Sequence, residues 1–286
     1  MSAFEARLTE HYRDLSERLR AAADYIAGNK IAVATRSLRS LAGESKLPPA
    51  TFSRLSQALQ YDSFEQLREE MRHALEERIN SFSDRARRLQ TGQAAGGREL
   101  LDAHAIACLD NLQQMTAAID RTQLTAAVAK LHAARSILVS GNLGSQGIAE
   151  YMVYQMNFVG GNWAMAGHGG ASIAASLVDM DHRDVLLLIT KAPYARRSVA
   201  AAELASRQGI HVIVICDAPE SPALRFADTA FRVPTESPNF FSSYAATLVL
   251  VEVLVGMLVA LAGPRGSERI AAVEEKNRRL QEVWDG

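Results

Sequence analysis

The stretch from Ile137 to Ile148 constrains the fold more than any other part of the sequence. It begins with an apolar run, passes through the polar, glycine-containing loop Ser140–Gln146, and continues with apolar residues at helical spacing. This order predicts a buried strand, a tight loop and the first turn of a helix. The first N–H groups of a helix favour an anion, and the hydroxyls of Ser140 and Ser145 add donors. The loop alone predicts either an anion site or a turn that binds nothing.

Apolar runs and helical patterns alternate from residue 136 to about residue 235. The predicted strands are Ile137–Val139, Trp163–Met165, Asp184–Ile189, His211–Cys216 and, at an edge, Thr229–Val233. Alternation of this kind predicts an α/β fold with a doubly wound parallel sheet. Ligands of such sheets bind beyond the C-terminal ends of the strands, where the strand order reverses.

Three loops follow the predicted C-terminal ends of these strands, namely Ser140–Gln146, Thr190–Ser198 and Asp217–Ser221. The first two carry hydroxyl groups, and each leads into the N-terminus of a helix. The second loop also carries three cations, among them Lys191 and Arg196. Together these groups predict a site for a phosphorylated or carboxylated small molecule.

A second informative region contains two short helical patterns joined by a tight turn. Ser37 is a predicted N-cap of the first helix, and Pro49–Leu59 is the second, with its proline in the first turn. Between residues 28 and 61, five basic residues, including Lys46 and Arg54, stand against one acidic residue, although the whole chain has a net charge of −1. This local positive charge predicts a helix-turn-helix that binds DNA. The alternative is a three-helix bundle that makes no contact with DNA.

The sequence TGQAAGG at residues 91–97 is the clearest flexible break in the chain. It predicts an all-α helix-turn-helix domain at residues 1–90, a linker at residues 91–98, and an α/β domain at residues 99–286.

Composition bounds the class of protein. Two cysteines in 286 residues fit a reducing compartment, and the charged N-terminus is unlike a signal peptide, so a cytoplasmic protein is predicted. The segment Ala245–Ala262 is apolar and long enough to span a membrane, but Glu252 in its middle favours a buried or dimer-interface helix. No Cys/His cluster has zinc spacing, and the sequence predicts no metal, cofactor or membrane partner.

Two parts of the chain resemble known families. Residues 136–235 resemble a SIS (sugar isomerase) domain, a phosphosugar-binding α/β fold, in the pieces ILVSGNLGSQGIAEYM, DVLLLIT and AAELASRQGIHVIVICDAPESPALRFAD. Residues 5–90 resemble the N-terminal helix-turn-helix of the RpiR/MurR family of bacterial transcriptional regulators, in the piece SLRSLAGESKLPPATFSRLSQALQYDSFEQLREEM. The two parts in this order cover nearly the whole chain and are more specific than either part alone.

The resemblance implies a homodimeric or homotetrameric regulator that binds palindromic operator DNA and senses a phosphorylated sugar or related anionic metabolite. It implies a recognition helix at Pro49–Leu59 and no catalytic residues. The residues implied to contact DNA are Ser37, Lys46, Thr51, Ser53, Arg54 and Gln57. The residues implied to bind the effector are Ser140, Gly141, Asn142, Gly144, Ser145, Thr190, Lys191, Arg196 and Ser198.

The sequence departs from the family pattern at three places. In the loop Gly141–Ser145, the second glycine comes one residue later than in the common pattern. In the loop Thr190–Ser198, Ala192 and Pro193 replace a serine and a glycine of the sugar-phosphate enzymes, which leaves room for another acidic metabolite. The turn before the recognition helix has Pro48 where a serine is usual.

Two enzyme functions are alternatives to the regulator. An aldose–ketose isomerase needs a general base, for which Glu236 and His168 are the attractive residues. A nucleotide-binding dehydrogenase is excluded by spacing, because Gly141, Gly144 and Gly147 form GxxGxxG rather than GxGxxG.

Overall fold

The computed structural model describes residues 3–78, 82–92, 97–167 and 171–284. The chain divides into two compact units, Met1–Ser81 and Phe82–Gly286. The predicted linker at residues 91–98 falls within the second unit, and residues 93–96 of it lie outside the described residues.

The first unit is helical throughout its described residues. Its helices are α1 (Ala3–His11), α2 (Glu17–Gly28), α3 (Lys30–Thr35), α4 (Leu38–Ser45), α5 (Pro49–Ala58) and α6 (Phe64–Arg78). Their apolar faces enclose one core, in which Phe52 makes edge-to-face contacts with Tyr25 and Phe64 at ring-centroid distances of 6.1 and 5.8 Å. Leu41 and Leu55 are fully buried beside them. The prediction of an all-α N-terminal part is confirmed.

Helices α4 and α5 are short and are joined by a tight turn. Ser37 caps α4, because its Oγ accepts a hydrogen bond from the Ser40 N–H at 3.3 Å. Lys46 ends α4 in the left-handed conformation, with φ of +57°. Pro49 begins α5, where a missing N–H leaves no hydrogen bond unmade. The sequence therefore predicted both the cap and the start of the second helix.

The second unit alternates helices and strands. In chain order its elements are α7 (Phe82–Gly92), α8 (Gly97–Ala118), α9 (Arg121–Ala133), β1 (Ile137–Gly141), α10 (Gln146–Val159), β2 (Trp163–Met165), α11 (Ile173–Leu177), β3 (Val185–Ile189), α12 (Arg196–Arg207), β4 (His211–Cys216), β5 (Thr229–Arg232) and α13 (Ala245–Arg279). The predicted strands all form, with ends that agree to within two residues.

The five strands found in the described residues form one parallel sheet in the order β2-β1-β3-β4-β5. Alternate residues of each strand point to opposite faces. One face packs against α8, α9, α10 and α13, and the other packs against α11 and α12. Strands buried on both faces are apolar along their whole length, as in Val185–Ile189. The predicted doubly wound fold is confirmed.

Helix α13 contains the long apolar segment Ala245–Ala262. Its length and composition would suffice to cross a membrane, but Leu250, Val251 and Leu254 are buried in the core between the sheet and the helices. Gly263, with φ of +57°, interrupts the helix just before Pro264. One face of the apolar part therefore packs in the core of the α/β unit.

Candidate functional site

The candidate site lies at the C-terminal ends of β1 and β3. These strands are neighbours, and the chain leaves β1 toward β2 on one side before it crosses to β3 on the other. The strand order therefore reverses between them, and the loops that follow diverge and leave a crevice. The predicted effector loops, Ser140–Gln146 and Thr190–Ser198, lie at the ends of these two strands, and their residues outside the strands and α-helices are 142–145 and 190–195.

The first loop is closely packed around its glycines. A Cβ atom on Gly141 would lie 2.4 Å from the Ser145 carbonyl oxygen, and one on Gly144 would lie 2.8 Å from the Cζ of Phe241. Between them, Leu143 is exposed and has φ of +54°, a conformation that favours glycine. Leu143 is also the position at which the family pattern has its second glycine. Leu143 therefore adopts a backbone conformation that a glycine would adopt more readily.

Two hydrogen bonds tie this loop to other parts of the site. The Asn142 side-chain amide donates to the Ser198 hydroxyl at 2.9 Å, and the hydroxyls of Ser145 and Tyr244 are 2.8 Å apart. Ser198 and Ser145 are buried, and each lies in the first turn of a helix or just before one. Ser140 is buried too, and its hydroxyl has no hydrogen-bond partner among the described residues.

Lys191 is the buried cation of the site, with only 7% of its surface exposed. Its Nζ donates to the carbonyl oxygen of Ser242 at 2.8 Å and lies 3.2 Å from the centroid of the Tyr244 ring. Burial lowers the pKa of Lys191 to about 7, while Asp217 acts in the opposite direction and Arg85 lowers it further. Burial also raises the pKa of Tyr244 to about 12. The ammonium of Lys191 is therefore held near its titration point at neutral pH.

Asp217, at the end of β4, holds the second loop in place. Its carboxylate accepts hydrogen bonds from the Ala192 N–H at 3.1 Å and from the Tyr194 hydroxyl at 2.9 Å. Burial, followed by the charge of Asp217, raises the pKa of Tyr194. These hydrogen bonds bring the third predicted loop, which begins at Asp217, against the second.

The structure brings most of the predicted effector residues together. Thr190 and Lys191 line a cavity of about 10 Å³ with Asp217 and Tyr244. This volume is about what a single water molecule needs. Arg196 differs from the others because its side chain is exposed, at the start of α12.

Sequence reasoning missed the residues that cover this site. The segment Ser237–Tyr244 lies some hundred residues after the first loop, yet it brings Phe241 against Gly144 and Tyr244 against Ser145 and Lys191. The available signal was three aromatic residues among serines just before an apolar helix.

The predicted DNA-contact residues are mostly exposed. On α5, the side chains of Ser53, Arg54 and Gln57 are exposed on one face, while Thr51 is buried with 9% of its surface exposed. Ser37 and Lys46, at the ends of α4, are exposed as well.

The structure gives little support to the two residues predicted as general bases of an isomerase, Glu236 and His168. Asn111 binds the backbone N–H and C=O of Glu236, whose side chain is exposed. His168 lies outside the described residues. Within the described part of the chain, no group of three or more His, Cys, Asp or Glu residues could hold a metal ion.

Comparisons with known proteins agree with this architecture. Residues 130–257 match the family model of the SIS domain. No curated protein matches the sequence. The chain is similar to the solved structure of the NanR protein of Vibrio vulnificus in complex with ManNAc-6P, with 23% identity, 97% of this chain and 98% of that chain covered, and a TM-score of 0.58.

Two further solved structures match the second unit. The sugar isomerase domain of an RpiR transcription factor from Sphaerobacter thermophilus has 23% identity and a TM-score of 0.57, with 63% of this chain and 99% of that chain covered. A putative sugar-phosphate isomerase from Listeria monocytogenes has 18% identity and a TM-score of 0.52, with 62% and 97% covered. These likenesses show a SIS fold in the second unit and, with NanR, a shared fold over nearly the whole chain.

Proposed function

We propose that this chain, which carries a SIS domain behind an all-helical unit, is a transcriptional regulator of the RpiR family that binds operator DNA and senses an anionic metabolite of the phosphosugar class. The observation that carries the proposal is the likeness to NanR, because it extends over both units. NanR was solved with a phosphorylated amino sugar, ManNAc-6P. The separate likeness of the second unit to an RpiR transcription factor supports the same function.

The chemistry of the crevice supports an anionic effector. Asn142, Ser145 and Ser198 offer hydrogen-bonding groups near the N-termini of α10 and α12, where helix N–H groups favour negative charge. Lys191 supplies a buried positive charge, and the hydroxyl of Ser140 has no partner among the described residues. Arg196, exposed at the start of α12, is placed to attract an anion from solvent.

The surface of the first unit supports DNA binding. Ser53, Arg54 and Gln57 share the exposed face of α5, the helix that would enter the major groove. Lys46 and Ser37, at the two ends of α4, would contact the phosphate backbone. Thr51 is buried, and we do not include it in the proposed contact set.

A binding assay on the full chain tests this function. Arg54→Ala is expected to weaken binding to a labelled fragment of the chain's own upstream DNA by about tenfold or more, and to reduce the preference for that fragment over unrelated DNA. Arg121→Ala, an exposed arginine at the start of α9, is the matched control because it removes the same charge from the other unit. Failure of the wild-type chain to bind at low salt, with and without phosphosugars, would contradict the proposal.

The proposal also includes the oligomeric state of the protein and its location in the cell. A homodimer or homotetramer in the cytoplasm suits a regulator of palindromic operators. The exposed apolar side chains of Leu101, Ile106 and Leu109 on α8 are available for contact between subunits. Multi-angle light scattering of the full chain separates a monomer from either assembly.

The isomerase alternative is tested with the same protein. Of the two predicted general bases, Glu236 lies among the described residues, and its carboxylate is exposed. If the wild-type chain isomerised aldose phosphates and Glu236→Gln did not, the protein would be an enzyme. If it is a regulator, neither the wild-type chain nor Glu236→Gln is expected to turn over these substrates.

A further inference from the structure

The segment Ser237–Tyr244 covers the candidate effector site and is held by the residues proposed to bind the effector. The Nζ of Lys191 donates to the Ser242 carbonyl oxygen at 2.8 Å and lies over the Tyr244 ring. The hydroxyl of Ser145 is within 2.8 Å of the Tyr244 hydroxyl. An anion that takes hydrogen bonds from Lys191 and Ser145 therefore competes directly with this covering segment.

The same segment is joined to α7 by an aromatic stack. The ring of Phe82 stacks on Phe241 at a centroid distance of 4.8 Å and an interplanar angle of 24°, and it meets Phe240 edge-on at 6.1 Å. Phe241 in turn lies against Gly144 in the first loop. Contacts thus run without interruption from the effector loop through Phe241 to the first residue of α7.

The aromatic stack lies at the boundary between the two units in the sequence. Phe82 is the first residue of α7 and also the first residue of the second unit, since the first unit ends at Ser81. A displacement of Phe82 would therefore occur at the residue that directly follows the first unit in the chain.

Charge on α7 adds a second connection. Arg85, three residues after Phe82, is close enough to Lys191 for its positive charge to lower the pKa of that ammonium. An anion bound at Lys191 would attract Arg85 as well, whereas in the covered site the two cations repel each other.

We propose that Phe82 and Phe241 couple the effector site to α7, so that an anionic effector displaces the segment Ser237–Tyr244 and thereby moves the helix that leads into the DNA-binding unit. The proposal rests on the proposed function for the class of effector. Such a displacement would also enlarge the cavity under Tyr244, which at about 10 Å³ has room for about one water molecule in the covered state. The effector then selects the uncovered state by its differential affinity for it.

Hydrogen exchange measured by mass spectrometry on the full chain tests the coupling without effector or DNA. Tyr244→Phe removes the hydroxyl that pairs with Ser145 and keeps the ring under Lys191. We expect amide exchange to become about fivefold faster in Ser237–Tyr244, because one net hydrogen bond is lost. We expect exchange in α7 to become faster as well. Tyr154→Phe removes an exposed hydroxyl on α10 and should leave both segments unchanged.

The Phe82→Ala background separates coupling from general loosening. There, Tyr244→Phe is still expected to speed exchange in Ser237–Tyr244, but it should produce no further change in α7. Unchanged exchange of α7 in Tyr244→Phe alone, or an equal further increase in the Phe82→Ala background, would overturn the proposal. Unchanged exchange in both segments would overturn it too, because the hydroxyl would then not hold the cover. A failure to bind DNA would contradict the proposed function and would leave these results intact.

Discussion

The two regions proposed to carry the function use polar side chains in opposite settings. Lys46, Arg54 and Gln57 of the first unit are exposed, whereas Ser145, Lys191 and Ser198 of the second are buried and bonded to other groups of the site. Exposed charges contribute little to stability, but buried polar groups require their partners. An exposed DNA-contact residue such as Arg54 or Gln57 can therefore change with little effect on the fold, while a change in the effector site alters binding and stability together.

The largest expected effect comes from the tightest packing in the effector site. Gly141→Ala should lower the free energy of unfolding of the second unit by about 3 kcal/mol, because its Cβ would lie 2.4 Å from the backbone oxygen of Ser145 and the loop must shift. Urea unfolding followed by tryptophan fluorescence measures this, since Trp163 is buried in β2.

Gly147 provides the matched control for this prediction. It lies in the first turn of α10, only six residues later, and nothing lies within 4 Å of the position of an added Cβ. Gly147→Ala should stabilise the unit by up to about 1 kcal/mol, because alanine loses less backbone entropy in a helix. Equal effects of the two substitutions would show that the loop is not held by close packing and would weaken the contrast between the regions.

The next effect is the pH dependence that the buried ammonium of Lys191 produces. Its pKa in the folded protein is about 7, against 10.5 for a lysine side chain in water. Between these values the unfolded chain binds a proton that the folded chain has released, so the free energy of unfolding rises with pH. From about pH 7 to about pH 9 this contributes about 2 kcal/mol, which Lys191→Met should abolish.

Lys276→Met is the control for this measurement. Lys276 is exposed on α13, and its replacement should leave the pH dependence of the wild-type chain unchanged. Urea unfolding at a series of pH values compares the three proteins. If Lys191→Met kept the wild-type rise, the ammonium would not be desolvated as its burial indicates.

The central strands were predictable because they are buried on both faces. His211–Cys216 begins and ends where the apolar run does, and turn residues flank it. The order of elements then fixed the side of the sheet on which the effector loops meet. Parallel strands place all their C-terminal ends at one edge, so hydroxyls and cations distant in sequence were expected to converge.

The covering segment could not be predicted in the same way. Phe241 and Tyr244 reach the site only because the chain returns over it after β5, and no local pattern encodes that path. The burial of Thr51 shows a related limit, because it lies beside Phe52 on a helix whose buried face is wider than a narrow apolar stripe. Leu143 was recognised as a departure from the family pattern, but its positive φ required the structure.

The smallest expected effect tests the exposed setting of the first unit. Ser37→Ala removes the oxygen that caps α4 and should destabilise that helix by about 1 kcal/mol, which corresponds to about fivefold faster amide exchange in Leu38–Ser45. Ser16 occupies the equivalent position before α2, but its side chain makes no capping hydrogen bond, so Ser16→Ala should change exchange in α2 far less. Both serines are exposed, and neither substitution should alter unfolding of the second unit. A loss for Ser37→Ala as large as that for Gly141→Ala would mean that exposed polar groups of the first unit are as essential to its fold as buried ones are in the effector site.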